Sequence, residues 1–369
     1  MKISYITNSA LVGTNASSLQ IMKMCEQFTK LDNSVTLIAP NTGSKNISPF
    51  KYYGIESKFK ILKIKFFKTF PVGLNYYLFS IFSIFFAIRN KADLIITRNF
   101  FICFLLSLIK KRCILEFHHD LSMEGRVIKF IVRYFNFLNS KNTVKIISIT
   151  QSISDYFVEN FNVNRNKIII LPSGSSELLN FKFNNNKKKL NIGYFGLIDN
   201  SRGLNLIINL SNIDRTNNYF LFGTKSNENK IIKKKNLFKN LFLSTHIPYS
   251  KISSYYEKMD ILILPYTNTV TVAGNVGNIA KYTSPLKLFD YLSSGKAILA
   301  SNIKVLKEVL KNNYNCIFIK NFSNPYAWKN EINKLKLNEF KRKMLSINSF
   351  KTSKRYKLKN RAIKYLENI

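Results

Sequence analysis

Lys287 and Asp290 stand three residues apart in the run Tyr282-Thr283-Ser284-Pro285-Leu286-Lys287-Leu288-Phe289-Asp290-Tyr291. On a helix that spacing puts an ammonium and a carboxylate on one side. Ser284 before Pro285 reads as a hydroxyl N-cap followed by a first helical residue that loses no donor. Free amides at such a helix start, with the dipole behind them, suit an anion such as a diphosphate. Lys287, in the first turn, adds a full positive charge there, and Asp290, one turn on, suits the two hydroxyls of a ribose. The same spacing also suits an amphipathic surface helix with an incidental Lys–Asp pair.

The elements that position these groups follow from periodicity. Leu286, Phe289 and Leu292 recur at helical spacing and are expected to face the core. Gly295 is placed to close the helix, and Ala297 to Ala300 reads as a short buried strand. Earlier in the chain Lys2 to Thr7, Val35 to Ala39, Ile61 to Phe67, Leu94 to Thr97, Cys113 to Phe117, Lys145 to Ile149 and Lys167 to Leu171 read as strands, with helical stretches between most of them. A strand, a polar loop with Gly13, and a helix over Ser18 to Leu31 begin a parallel α/β sheet. After the lysine- and asparagine-rich stretch 181–189 a second such sheet begins near Leu190.

At 369 residues the chain is long enough for two domains, and a hydrophobic fraction of 46% argues against disorder. Lys and Arg total 57 against 20 acids, a net charge of +37 that points to an anionic partner: membrane, substrate or nucleic acid. The enrichment in Lys, Asn, Ile and Phe also fits an AT-rich coding sequence. Four cysteines without CxxC pairing suggest reduced thiols in the cytoplasm. Three histidines, His118, His119 and His246, form no metal-ligand spacing, so no metal is expected; no resident cofactor is expected either. The apolar run Val72 to Ile88 is shorter than the ~20 residues of a membrane-spanning helix. A buried or interfacial helix fits it better.

The run 282–291, followed by Gly295-Lys296-Ala297-Ile298, resembles the donor-site signature of retaining glycosyltransferase family 4, in the bacterial surface-polysaccharide branch with a Ser-Pro-Leu-Lys-Leu-Phe-Glu-Tyr motif. The family usually has Glu-x7-Glu here; in the matched frame Asp290 is the second acid and Tyr282 holds the first position. Asn191-Ile192-Gly193-Tyr194-Phe195-Gly196, then Arg202-Gly203, is similar to the family's glycine at a strand end and cation on the donor diphosphate. Glu116-Phe117-His118-His119 resembles its Glu-x-His segment, which implies that His118 faces the donor sugar. The resemblance further implies a GT-B fold, two Rossmann-like parallel-sheet domains facing across a cleft. Residues 1–180 would form the acceptor-side domain, 181–189 the linker and 190–345 the nucleotide-sugar domain. The basic segment 346–369 would return to the first domain.

On that resemblance His118, Arg202 and Lys287 are the expected catalytic residues. Gly13, Gly196, Arg202, Gly223, His246, Ser284, Pro285, Leu286, Lys287 and Asp290 are expected to hold the donor. The expected activity is metal-independent, retaining transfer from a UDP- or GDP-sugar to a glycan or lipid-linked acceptor of capsule, O-antigen or lipopolysaccharide synthesis. The expected place is cytoplasmic, peripheral on the inner membrane face. A GT-B sugar-nucleotide epimerase and a non-catalytic basic protein binding membrane or nucleic acid are the alternatives.

Overall fold

Runs such as Leu94-Ile95-Ile96-Thr97 and Ile261-Leu262-Ile263-Leu264 are apolar at every position, which suits strands covered by helices on both faces. All eight residues are buried in the computed structural model. The structure describes residues 1–13, 16–42, 47–65, 71–176, 183, 188–197, 199–223, 232, 239–245, 247–270 and 278–369. Two units separate: Met1–Ser173 with Leu358–Ile369, and Gly174–Lys357.

The first unit contains β1 (Lys2–Ile6), α1 (Ala16–Lys30), β2 (Ser34–Pro40), α2 (Pro49–Tyr53), β3 (Lys60–Ile64), α3 (Val72–Arg89) and β4 (Leu94–Thr97). It continues through α4 (Phe100–Leu108), β5 (Cys113–Phe117), α5 (Arg126–Tyr134), β6 (Thr143–Ser148), α6 (Gln151–Phe161) and β7 (Ile168–Ile170). Its seven strands pair in parallel in the order β3-β2-β1-β4-β5-β6-β7. The order reverses between β1 and β4, and ligands of open parallel sheets bind outside the strand ends at such a point.

The second unit contains β8 (Asn191–Phe195), α7 (Leu204–Ile213), β9 (Asn218–Phe222), β10 (Leu241–Ser244), α8 (Ile252–Glu257) and β11 (Ile261–Leu264). It closes with α9 (Leu286–Ser293), β12 (Ala297–Ser301), β13 (Ile317–Ile319), α10 (Pro325–Leu337) and α11 (Glu339–Ser353). The parallel order is β10-β9-β8-β11-β12-β13, with its reversal between β8 and β11. Along β12, Ala297 and Leu299 enter one core and Ile298 and Ala300 the other. The two-residue strand period thus feeds both faces of the sheet.

Two boundaries differ from the sequence expectation. The units divide at Ser173 rather than near residue 180, and only the final helix, α12 (Leu358–Leu366), belongs with the first unit, instead of everything from 346. Residues 346–353 lie in α11, whose Leu345 is buried and whose Ser349 hydroxyl donates to the Asn315 carbonyl at 2.8 Å, so packing keeps them in the second unit. Of the expected linker, residues 181–182 and 184–187 lie outside the described residues. The four cysteines are free and buried. Among the described residues no helix is long and apolar enough to cross a membrane, and no cluster of His, Cys, Asp or Glu could hold a metal.

Candidate active site

At the carboxyl end of β8 the chain turns through Gly196 with φ +104°, a backbone conformation that side-chain-bearing residues rarely adopt. A Cβ added there would lie 3.2 Å from Cε and Nζ of Lys287, so the missing side chain is the space the lysine occupies. Gly223, after β9, has φ +113°, and a Cβ on it would meet the Gly196 carbonyl oxygen at 2.6 Å. Gly203 has φ +86° and sits against Pro265, where a Cβ would come within 2.5 Å of a carbonyl oxygen. Three glycines therefore let the ends of β8, β9 and β11 close on one another.

Over this floor Lys287 Nζ stands 4.0 Å from the ring centroid of Tyr194 and 5.6 Å from that of Tyr266. It donates to the Tyr194 hydroxyl, which itself donates to the Leu197 carbonyl at 2.8 Å. Burial, and then the charge of Arg202, hold the Lys287 amine well below the usual lysine range, against a weaker opposite pull from Asp199. Arg202 ends a 3₁₀ turn, Asn200–Arg202, capped by Asp199, and its Nη1 pairs with the Asp199 carboxylate. It is thus a paired, largely covered arginine rather than an unpaired surface one. The cluster lies at the β8/β11 reversal. Two cations share one carboxylate there, an arrangement able to receive an anion.

The helix α9 is not the amphipathic surface helix that spacing alone allowed. Leu288, Phe289, Asp290, Tyr291, Leu292 and Ser293 are all buried, whereas Leu286 and Lys287 are partly exposed. Nor does Ser284 cap it: the helix starts at Leu286 with Pro285 at the N-cap, ψ 128°, and no side-chain cap bond. Gly295 does take the left-handed conformation that ends the helix, φ +62°. Asp290 is 5% exposed and accepts from the Tyr249 hydroxyl at 3.0 Å. Burial pushes its carboxyl up to about 7, the tyrosine bond pulling the other way. This carboxylate already has a partner inside the protein. Tyr291, its neighbour, accepts from the Phe195 amide at 2.8 Å and so ties α9 to β8.

In the first unit Glu116, at the end of β5, is 2% exposed and heavily bonded. Its Oε2 accepts from the Tyr5 hydroxyl and from Arg98 Nε, each at 3.1 Å, and its Oε1 from Arg361 Nη2 at 2.5 Å. Burial alone would raise this carboxyl, but Arg98, His118 and Arg361 together hold it well below the usual carboxylate range. His118 Nε2 lies 2.9 Å from Glu116 Oε1. Burial first, and then the Arg98 charge, lower its imidazole to about 4, so it is neutral at pH 7.

Gly13 is held by Tyr53, whose hydroxyl donates to its carbonyl at 3.1 Å. A Cβ at Gly13 would meet nothing within 4 Å; the left-handed residue of that loop is the β-branched Val12, φ +67°. His246 lies outside the described residues, as do the loop glycines Gly274 and Gly277. The structure thus gathers Gly196, Arg202, Gly223 and Lys287 in the second unit, and places Gly13 and His118 in the first. Tyr194 and Tyr266 were not foreseen, although strand alternation puts Tyr194 on the same face as Gly196. Arg98 and Arg361 were missed too, and no local spacing links them to Glu116.

A model described as Glycosyltransferase Family 4 matches residues 18–175, and one described as Glycosyl transferases group 1 matches residues 175–352. No curated protein sequence matches the chain. Among solved structures the chain is similar to HepE of Anabaena in complex with UDP and glucose, at 13% identity over 100% of both chains, TM-score 0.74. It is similar to a glycosyltransferase of Rickettsia africae, 13% identical over 100% of this chain and 99% of that one, TM-score 0.74. It also resembles WaaG, a glycosyltransferase involved in lipopolysaccharide biosynthesis, 11% identical over 100% of both chains, TM-score 0.66. Two glycosyltransferase models in succession, on two parallel-sheet domains whose structural neighbours are GT-B enzymes, make this chain a glycosyltransferase of the GT-B type.

Proposed function

We propose that the chain transfers a sugar from a nucleoside-diphosphate sugar to a glycan or lipid-linked acceptor of a bacterial surface polysaccharide, with retention at the anomeric carbon. The observation that carries this is Lys287, held over Tyr194 in the space left by Gly196, beside Arg202 at the β8/β11 reversal. The donor diphosphate would lie against these two cations. As the glycosidic bond breaks, charge grows on the β-phosphate, and preorganised cations stabilise it more in the transition state than in the bound donor. In this reading the cations do the work of a metal ion, and the leaving phosphate oxygen takes the acceptor's proton on the same face. No resident cofactor is assigned. His118, neutral at pH 7, is assigned a hydrogen bond to the sugar, because a neutral imidazole can donate from one nitrogen and accept at the other. The ribose role of Asp290 has less support, since Tyr249 already occupies one of its oxygens.

UDP is favoured over GDP because the similar Anabaena protein was solved with UDP and with UDP-glucose. A bacterial surface glycan is favoured by the likeness to WaaG, and a cytoplasmic place by the free, buried cysteines. Thermal shift against UDP, GDP and their sugars tests the donor, followed by the anomeric configuration of the transferred or hydrolysed sugar by NMR. A shift with UDP and a retained anomer are expected. No shift with any nucleotide, or an inverted anomer, would overturn the reading.

A further inference from the structure

Large apolar side chains left in water are unevenly spread. Eleven of the 21 exposed ones among the described residues fall between 72 and 135, so this is a patch rather than scatter. Phe82 and Phe85 on α3, Leu108 on α4, and Phe130 and Tyr134 on α5 are between 41% and 68% exposed. The three helices are neighbours, α4 packing on both α3 and α5. Ring contacts join them, from Tyr77 to Phe101 at 4.8 Å and from Phe104 to Phe135 at 5.0 Å.

The charge that these three helices themselves carry has one sign. None of α3, α4 and α5 contains an acidic residue. On α5 the exposed side chains alternate cation and apolar group, and Arg126, Lys129, Phe130, Arg133 and Tyr134 line a pocket of about 490 Å³ that continues to Tyr156 and Phe161 of α6. Arg89, Lys110 and Lys111 add exposed cations at the ends of α3 and α4. Cations that keep their heads in water beside rings that enter an apolar layer are what a helix lying in a lipid headgroup region presents.

We propose that the α3–α4–α5 face docks on an anionic lipid bilayer, with the rings of α3 and α5 in the acyl boundary and the α5 pocket around a lipid phosphate. A bilayer is chosen over a protein partner because its surface charge complements these acid-free helices and its interior accepts the rings. The inference deepens the membrane-side acceptor of the proposed function. Its test reads binding, not turnover, so either can fail without the other.

The full-length protein is sedimented with phosphatidylcholine vesicles and with phosphatidylcholine–phosphatidylglycerol vesicles over a salt series. Binding to the anionic vesicles alone, released by salt, is expected. Replacing Arg126, Lys129 and Arg133 by Ser should lower partitioning by roughly 100-fold, three surface cations acting together. Replacing the exposed Lys343, Lys351 and Lys359 by Ser removes the same charge elsewhere and should lower it far less. Phe130→Trp should show a blue-shifted emission on adding anionic vesicles. Equal loss in the two triple variants, retained binding in the α5 variant, or no emission shift would overturn the assignment of this face.

Discussion

The chain builds a cationic cluster at each of its two sheet reversals, and the clusters differ in what their donors do. In the first unit Arg98 and Arg361 surround Glu116, and Arg361 also donates to the carbonyls of Leu171 and Pro172. Its Nη1 and Nη2 are spent on its own chain, while its Nε, like Arg98 Nη2, is buried without a hydrogen-bond partner. In the second unit Lys287 has three donors, and among the described residues only the Tyr194 hydroxyl accepts one. A buried cation paired with a carboxylate of its own fold locks a domain together. One that faces a ring and a paired arginine has donors left for a ligand. Burial and charge alone do not separate the two clusters; what separates them is that both arginines pair with Glu116 while Lys287 has no ion pair among the described residues.

Removing Glu116 tests the first half of that contrast hardest. Glu116→Ala leaves two largely buried arginines without their carboxylate, and losing one partner of a buried pair costs about 3–5 kcal/mol. Chemical denaturation should show that loss, and an unchanged midpoint would make the network dispensable. Acid should act in the same direction. Glu116 and His118 both titrate lower in the fold than in the unfolded chain, so stability falls as pH drops: the His118 share is lost from about 6.5 down to about 4, and the Glu116 share only as pH falls below the usual carboxylate range.

Lys287→Ala should do the reverse, sparing the fold and stopping the chemistry. Turnover is expected to fall roughly 10²–10³-fold, the scale for losing one preorganised stabiliser of a developing anion. Stability should hold or rise, because burial disfavours the ammonium. Lys287→Arg should not restore turnover, since a forked guanidinium does not fit the space beside Gly196. Near wild-type turnover in a folded Lys287→Ala protein would remove the cluster from the active site. Because burial lowers the amine until an anion arrives, nucleotide binding should take up a proton at pH values where the free amine has begun to deprotonate, read as a buffer-dependent binding enthalpy.

Asp290 sharpens the contrast through pH. Its carboxyl is raised in the fold, so the native state holds the proton and its stabilising contribution fades as pH rises from about 4 to about 7. Asp290→Asn keeps an acceptor for Tyr249 without a charge to bury. It should stabilise the protein by about 1–3 kcal/mol at pH 8 and by little at pH 4. A donor KM that rises with little change in kcat would add the ribose role; a KM that stays put would leave Asp290 purely structural. A comparably small effect is expected at Gly196→Ala. Left-handed strain costs ~1–2 kcal/mol, and the methyl pushes Lys287 aside, so turnover should fall about tenfold while most of the fold survives.

Periodicity and turn chemistry made much of this molecule legible. The strands read from apolar runs are present within a few residues, and Gly295 ends α9 as its position implied. Burial was read less well. Asp290 sits where helical spacing allowed a wet face, and only the packing of Tyr249 against it made that face dry. Ser284 looked like a cap because Ser-Pro is a common start, yet the backbone at Pro285 is still extended.

The sequence by itself determined which segments alternate as strand and helix, that Gly295 would end a helix, and that Lys287 would stand in a helix's first turn. Those properties are local, set by side-chain spacing and backbone sterics over a few residues. The tertiary structure alone decided that Lys287 lies over Tyr194, 93 positions away, and that Arg361 reaches Glu116 across 245. Which donors are spent and which remain free depends on non-local packing, because desolvation and hydrogen-bond satisfaction are fixed only when distant segments meet.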